Sequence, residues 1–155
     1  MHIIEGDLTN PRVIALLETH VSRARSETAR GCAHALDVAD LLTADITFWS
    51  GWEDDTRTTV VAIGALKELA RDHGEVKSMH VAEHVRGRGY GAAMLEHIIG
   101  AARARGMSRL SLETGSWPYF TAARALYARH GFTECGPFGT YQASPTSVYM
   151  TRELA

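Results

Sequence analysis

The chain has 155 residues, a length typical of one domain, and 45% of them are hydrophobic, which is enough for a core without suggesting a membrane protein. Its formal net charge of −2 comes from 16 basic and 18 acidic residues, so the composition does not favour a nucleic-acid partner. Cys32 and Cys135 are far apart in sequence, which predicts free thiols in a reducing compartment. Glu5 and Asp7 precede any long apolar run, and no stretch reaches the about 18 apolar residues of a membrane span. We therefore expect one cytoplasmic domain over residues 1–155.

The first half of the chain predicts three strands and two helices. Asn10-Pro11 indicates the start of the first helix, because asparagine is a good capping residue and proline is favoured in the first turn. The segment Ser22 to Asp45 gives a weaker pattern, in which only a short helix is indicated. The last two strands are joined by a polar turn, Gly51 to Arg57, as in a hairpin. The predicted ranges are 2–5 for the first strand, 38–42 for the short helix, and 46–49 and 58–66 for the hairpin strands.

The second half predicts strand, helix, strand, helix and two final strands. A strand over 75–81 leads into a glycine-rich loop, after which apolar residues recur at helical spacing until Gly106. The remaining ranges are 109–113 for a strand, 119–130 for a helix, and 132–137 and 147–151 for the closing strands. This order of elements predicts an α/β fold with a mixed sheet.

The most informative stretch is the glycine loop, Arg86-Gly87-Arg88-Gly89-Tyr90-Gly91. Its glycines let backbone amides approach an anion without a side chain in between, and the helix start adds free N–H donors and the positive end of the helix dipole. Arg86 and Arg88 supply charge for a diphosphate. The loop therefore predicts a phosphate site, and a basic turn that only needs positive φ angles is the alternative.

Two other phosphate-binding loops fit less well. A P-loop needs Gly-Lys-Ser/Thr after its glycines, and none follows Gly91. The dinucleotide fingerprint needs G-x-G-x-x-G in an opening βαβ unit, with an acidic residue about twenty positions further on. Glu113 could be that acid, but the glycines here read G-x-G-x-G and lie past the middle of the chain. A nucleotide-dependent oxidoreductase is therefore disfavoured.

The loop contains the pattern R-x-x-G-x-G at Arg86, Gly89 and Gly91, and Leu126 to Phe132 reads L-Y-x-x-x-G-F. Together they resemble the signatures of the GCN5-related N-acetyltransferases, the GNAT superfamily, over roughly residues 44–153. Within the superfamily, the sequences of three short segments are similar to those of a bacterial YsnE- or PsiE-like branch: residues 112–115, 135–138 and 147–150.

The resemblance implies a GNAT fold, in which a mixed sheet of about six or seven strands is flanked by about four helices and two central strands splay apart. It implies acetyl-CoA as the acetyl donor and direct attack by a primary amine of a small molecule in a ternary complex. The main chain of Met79, His80 and Val81 would contact the pantetheine arm, and Ala123 would let a helix approach it. The pyrophosphate would bind the glycine loop: Arg86, Gly87, Arg88, Gly89, Tyr90 and Gly91.

The resemblance also implies catalytic roles. Tyr127 matches the helix tyrosine whose phenol can protonate the departing thiolate, since a phenol with a reference pKa of about 10 is protonated at neutral pH. Glu75 matches a glutamate that takes the amine proton through water, although a carboxyl with a reference pKa near 4.3 needs burial or a relay for this. Glu113 could instead anchor a cationic substrate or serve as the base. A core aromatic for Tyr127 and a solvated strand start for Glu75 are the structural alternatives.

The acceptor pocket is the least interpretable region. We select His34, Trp117 and Tyr119 as substrate-binding candidates together with Glu113, with plain surface or core positions as the alternative. Relatives often carry an asparagine seven residues before the helix tyrosine, and Phe120 stands there instead. The eight histidines show no H-E-x-x-H pattern, so we expect no metal site.

Two alternatives stay open at this point. A non-catalytic acyl-CoA sensor would keep the glycine loop without turnover, and a protein N-terminus or lysine could replace the small-molecule acceptor. Dimers are frequent among proteins generally, so we expect a homodimer. The sequence of the final strands does not itself indicate a dimer interface.

Overall fold

The computed structural model describes residues 1–28 and 33–154. Cys32, one of the two predicted free thiols, lies outside these residues. The helices are α1 (Pro11–Ser26), α2 (Val38–Leu41), α3 (Tyr90–Ala104) and α4 (Thr121–Arg129). The strands are β1 (His2–Glu5), β2 (Ile46–Trp52), β3 (Val60–Ala70), β4 (His73–Val81), β5 (Arg109–Gly115), β6 (Thr133–Cys135) and β7 (Ser147–Glu153).

All seven strands form one sheet in the order β1-β2-β3-β4-β5-β7-β6. The β4–β5 pair is parallel, and α3 makes the crossover between these two strands; every other neighbouring pair is antiparallel. The predicted α/β class, with a mixed sheet and four helices, is confirmed.

Local sequence explains most element boundaries. The Asn10 side chain accepts a hydrogen bond from the Arg12 amide at 2.9 Å, and Pro11 follows at the first helical position, as predicted. Asp37 and Asp40 form a reciprocal capping box that defines the short α2. The predicted turn at Gly51 is wrong, because Gly51 pairs with Ile3 and so extends β2 to Trp52.

The ladder between β4 and β5 is short. It runs from His73–Arg109 to Val76–Leu112 and then stops, although β4 continues to Val81 and β5 to Gly115. Beyond Val76 the two strands therefore separate, and the edge of β4 that faces β5 has no strand partner. The expected splaying of two central strands is confirmed.

A bulge in β4 accompanies this separation. Ile63 and Ala65 of β3 pair with His80 and Lys77, so one more residue of β4 spans the same interval. Ser78 lies in this bulge with a φ of 54°, a left-handed conformation that costs energy for a residue other than glycine. The extra residue decides which side chains of β4 face each side of the sheet.

Helix α3 packs closely on the sheet at Gly64. A Cβ atom at Gly64 would lie 2.8 Å from the Ile98 Cδ1 and 2.9 Å from the Met94 Cγ. Both of these α3 side chains are fully buried, so the absence of a side chain at Gly64 sets the distance between helix and sheet.

We expect Gly64→Val to lower the free energy of unfolding by about 1–3 kcal/mol, because it overpacks the contact between β3 and α3. Gly100→Ala is the matched control: Gly100 is exposed within α3, and no atom lies within 4 Å of its added Cβ. That control should be neutral or stabilising by up to about 1 kcal/mol. Urea denaturation of both variants measures the difference, and equal stabilities would contradict the packing argument.

Candidate active site

The gap between β4 and β5 opens into a cleft of about 400 Å³. Its walls come from α1, residues 33–36, β4, the glycine loop, the end of β5 and α4. The cleft therefore brings together parts of the chain that are more than a hundred residues apart, from His20 to Arg129.

The glycine loop has a geometry suited to a phosphate. Gly87 and Gly89 have φ angles of 82° and 85°, and no atom lies within 4 Å of a Cβ built at either residue. Gly89 is the N-cap of α3, and no side chain caps this helix start. The first amides of α3 are thus free of side-chain caps, and the positive end of the helix dipole points at open space.

The arginines of the loop differ in position. Arg86 lines the cleft and donates from Nε to the Val81 carbonyl at 3.3 Å and from a terminal nitrogen to the Tyr119 hydroxyl at 3.2 Å. Arg88 is exposed and does not line the cleft. The sequence predicts Tyr119 as a residue that binds the acetyl acceptor. In the structure its hydroxyl accepts a hydrogen bond from Arg86.

Residues 77–81 of β4 line the cleft next to the loop. Because β4 has no partner on its β5 side there, its main-chain groups can bind an extended amide ligand in the way of an added strand. Gly91 and Ala123 line the same region, and a Cβ at Gly91 would lie 3.3 Å from both Val81 and Leu126. A small residue on each of α3 and α4 therefore keeps this passage tight without closing it.

Tyr127 lies on α4 and reaches the cleft with 7% of its surface exposed. Burial and the neighbouring Glu113 both raise the pKa of its phenol, so the hydroxyl keeps its proton at neutral pH. The group can donate that proton to a strong base such as a thiolate.

Glu113 lines the cleft at the point where β5 leaves the ladder. Burial raises the pKa of its carboxyl to about 7, and the nearby Ser147 hydroxyl and the Lys77 charge partly oppose that rise. A carboxyl that titrates near neutral pH can accept a proton under physiological conditions.

Glu75 is 2% exposed and does not line the cleft. Its Oε2 accepts hydrogen bonds from the Tyr141 hydroxyl at 2.6 Å and from the Lys77 ammonium at 3.1 Å. A proton from the cleft would therefore have to pass through one of these two partners to reach it.

The acceptor candidates are not all brought together. His34 lines the cleft, with its ring centroid 5.0 Å from that of Tyr141 in an edge-to-face contact. Trp117 is 37% exposed and lies outside the lining of the cleft. Phe120 does line it, packed so closely against Gly115 that a Cβ there would overlap its ring. Phe120 thus forms part of the cleft wall.

Sequence reasoning missed a histidine pair. The Nδ1 atoms of His20 on α1 and His80 on β4 lie 3.3 Å apart, and both residues line the cleft. Burial is the main cause that lowers the pKa of His20 to about 3 and that of His80 to about 4, with a further contribution from nearby positive charges, so both rings are neutral at pH 7. The two residues are 60 positions apart, and no local pattern links them.

The splayed mixed sheet, the glycine loop at a helix start and the buried tyrosine define the acyl-CoA N-acyltransferase class of fold. The sequence matches the acetyltransferase (GNAT) family over residues 14–132, so the chain belongs to that family. The expectation of an acetyl-CoA-dependent acetyltransferase is thereby confirmed.

Individual proteins agree with this assignment. The chain is 44% identical to the uncharacterized N-acetyltransferase YsnE of Bacillus subtilis, covering 99% of this chain and 100% of that protein. Its structure is similar to a putative acyl-CoA N-acyltransferase from Klebsiella pneumoniae, with a TM-score of 0.77 and 27% identity over 99% of this chain and 97% of that one. It has the same fold as Rv2747 of Mycobacterium tuberculosis in complex with CoA, with a TM-score of 0.73 and 20% identity over the full length of both chains.

We expect acid to destabilise the protein in part through the histidine pair. Its folded-state pKa values lie below the ordinary value near 6.5, so the unfolded state binds more protons and the free energy of unfolding falls as pH drops from about 6.5 towards 4. Replacing both rings, as His20→Phe with His80→Phe, should reduce that fall by on the order of 4 kcal/mol between pH 6.5 and 4.5.

Denaturant titrations at several pH values measure this slope. The exposed His84→Gln serves as the control and should keep the wild-type slope. An unchanged slope in the double variant would show that the pair does not carry the effect.

Proposed function

We propose that this protein transfers the acetyl group of acetyl-CoA to a primary amine of a small molecule by direct attack in a ternary complex. The observation that carries the proposal is the meeting, in one cleft, of the glycine loop, the unpartnered edge of β4, the Tyr127 phenol and the Glu113 carboxyl. Residues 33–36 and α1 line the same cleft, whose volume of about 400 Å³ suits a small acceptor better than a protein surface.

Acetyl-CoA fits the open half of the cleft. Gly87, Gly89 and the uncapped start of α3 supply backbone amides for the diphosphate, and Arg86 adds charge. The pantetheine amides can pair with the free edge of β4 near Met79 and Val81, which directs the thioester towards Tyr127.

The chemistry needs one proton to leave the amine and one to reach the sulfur. The amine nitrogen attacks the thioester carbonyl carbon, a C–N bond forms, and the C–S bond breaks. Tyr127 donates its phenolic proton to the departing sulfur, and Glu113 takes the proton that the amine loses. Glu75 remains the second candidate for the base, since Lys77, which lines the cleft, donates a hydrogen bond to it.

Direct attack is supported by the position of Cys135, the only cysteine within residues 1–28 and 33–154. This thiol is on β6, outside the cleft lining, and burial raises its pKa, which disfavours the reactive thiolate. A covalent acetyl intermediate would need a nucleophile next to the thioester.

The compartment, the domain organisation and the oligomeric state of the enzyme are also proposed. None of the helices within residues 1–28 and 33–154 is long and apolar enough to cross a membrane. We infer a single-domain enzyme, because strands from both ends of the chain join one sheet. We also propose that the enzyme is cytoplasmic and that it forms a homodimer, since dimers are common.

Tyr127→Phe should lower kcat by about 10²–10⁴-fold, because the sulfur then leaves without its proton donor. Affinity for CoA should stay close to wild type, since the ring is retained. Thiol release with a panel of amines measures kcat, and calorimetric titration with CoA measures affinity. Unchanged kcat would remove Tyr127 from the mechanism, and CoA binding without turnover on any amine in the wild type would favour a sensor.

Gly89→Ala should weaken CoA binding by roughly tenfold or more, because the added methyl enters the space where the diphosphate lies. Gly106→Ala is the matched control: Gly106 also has a positive φ, 78°, but follows α3 and lies away from the cleft. Both variants should lose similar stability, and only the first should change the Kd for CoA. Equal Kd values would place the diphosphate elsewhere.

A further inference from the structure

Two oppositely charged residues mark the point where β4 and β5 separate. The last paired residues of this ladder are Val76 and Leu112, and the next residues are Lys77 and Glu113. In a continuing parallel ladder these two would stand opposite each other on the same side of the sheet. Both line the cleft.

The ammonium of Lys77 is bound elsewhere. It donates to Glu75 Oε2 at 3.1 Å and to the Tyr141 hydroxyl at 2.8 Å, and its side chain is 9% exposed. The separation of the strands thus leaves Glu113 outside this ion pair. A buried cation and a carboxyl face the same cleft without bonding to each other.

Lys77 has donor capacity left for a ligand. An ammonium group carries three N–H donors, and Glu75 and Tyr141 accept two of them. The Glu75 carboxylate accepts two hydrogen bonds, because Tyr141 as well as Lys77 donates to its Oε2. His34 stands beside this group, with its ring against Tyr141, and adds a second polar side chain to the wall.

We propose that the acceptor is an amino carboxylate, whose acid group binds the free N–H of Lys77 while its amine lies at Glu113. This inference rests on the proposed acetyl transfer and names its substrate class. A carboxylate there would satisfy the third donor of a buried ammonium, which is costly to leave unpaired. The same placement holds the amine between Glu113 and Tyr127, next to the thioester.

An acceptor without an acid group would use the cleft differently. A neutral or purely cationic amine could bind Glu113, but it would leave the remaining Lys77 donor without a ligand partner. A higher activity on amino carboxylates than on amines without an acid group would therefore distinguish the two classes of acceptor.

The test uses amino acids, each paired with its carboxamide, which retains the amine and removes the negative charge. For the acceptors that the full-length protein acetylates, we expect kcat/KM to be roughly tenfold or more higher for the acid than for its amide. Lys77→Met should bring this ratio close to one, and Lys77→Arg should keep most of it. The only other lysine, Lys67, lies outside the cleft lining, so Lys67→Met serves as the control and should keep the wild-type ratio.

The ratio separates recognition from general damage, because lost stability lowers the two rates together. If Lys77→Met does not fold, Glu75→Gln with Lys77→Met removes both members of the buried pair and gives the same test. Amides and simple amines that react as well as the acids would overturn this inference and leave the acetyltransferase standing. No CoA release with any amine, charged or not, would overturn the proposed function and this inference with it.

Discussion

The loss of backbone pairing between β4 and β5 beyond Val76 is the feature on which the rest of the site depends. A parallel ladder in the middle of a sheet normally satisfies every amide and carbonyl, and unpaired buried backbone groups are costly. Here five residues of β4 face a gap, with their other edge still held by β3. The two halves of the sheet stay joined by the paired residues 73–76 of β4 and 109–112 of β5, and the gap beyond them leaves a slot that can accept an extended polar ligand.

The side chains around the gap follow from the same geometry. The bulge at Ser78 shifts the alternation of β4, so that Met79 lies near Gly64 on the α3 side while His80 contacts His20 of α1. The Ser78 hydroxyl and the His80 Nε2 are buried without a hydrogen-bond partner among the described residues. Strain and unpaired polar atoms concentrated at one place are typical of a binding site, where the ligand or the chemistry offsets the cost.

The titratable groups of the cleft differ in protonation state at neutral pH. Burial keeps the two histidines neutral and the tyrosine protonated, and it brings the pKa of Glu113 close to neutral pH. Lys77 retains a partner in Glu75, so one full ion pair persists beside groups that titrate or stay neutral. The proposed acetyl transfer needs one group that gives a proton to the sulfur and another that takes a proton from the amine.

The sequence by itself determined the elements, the glycine loop and the family, because these depend on local patterns: the Asn10-Pro11 cap, the helical repeat of α3, and the spacing of Arg86, Gly89 and Gly91. It also named Tyr127, Glu75 and Glu113, though not how each is engaged. Only the tertiary structure paired His20 with His80, brought Tyr141 to Glu75 across 66 positions, and moved Trp117 out of the cleft wall. The physical reason is that hydrogen bonds and burial between distant segments are decided by how the sheet and helices pack, and no local pattern encodes that packing.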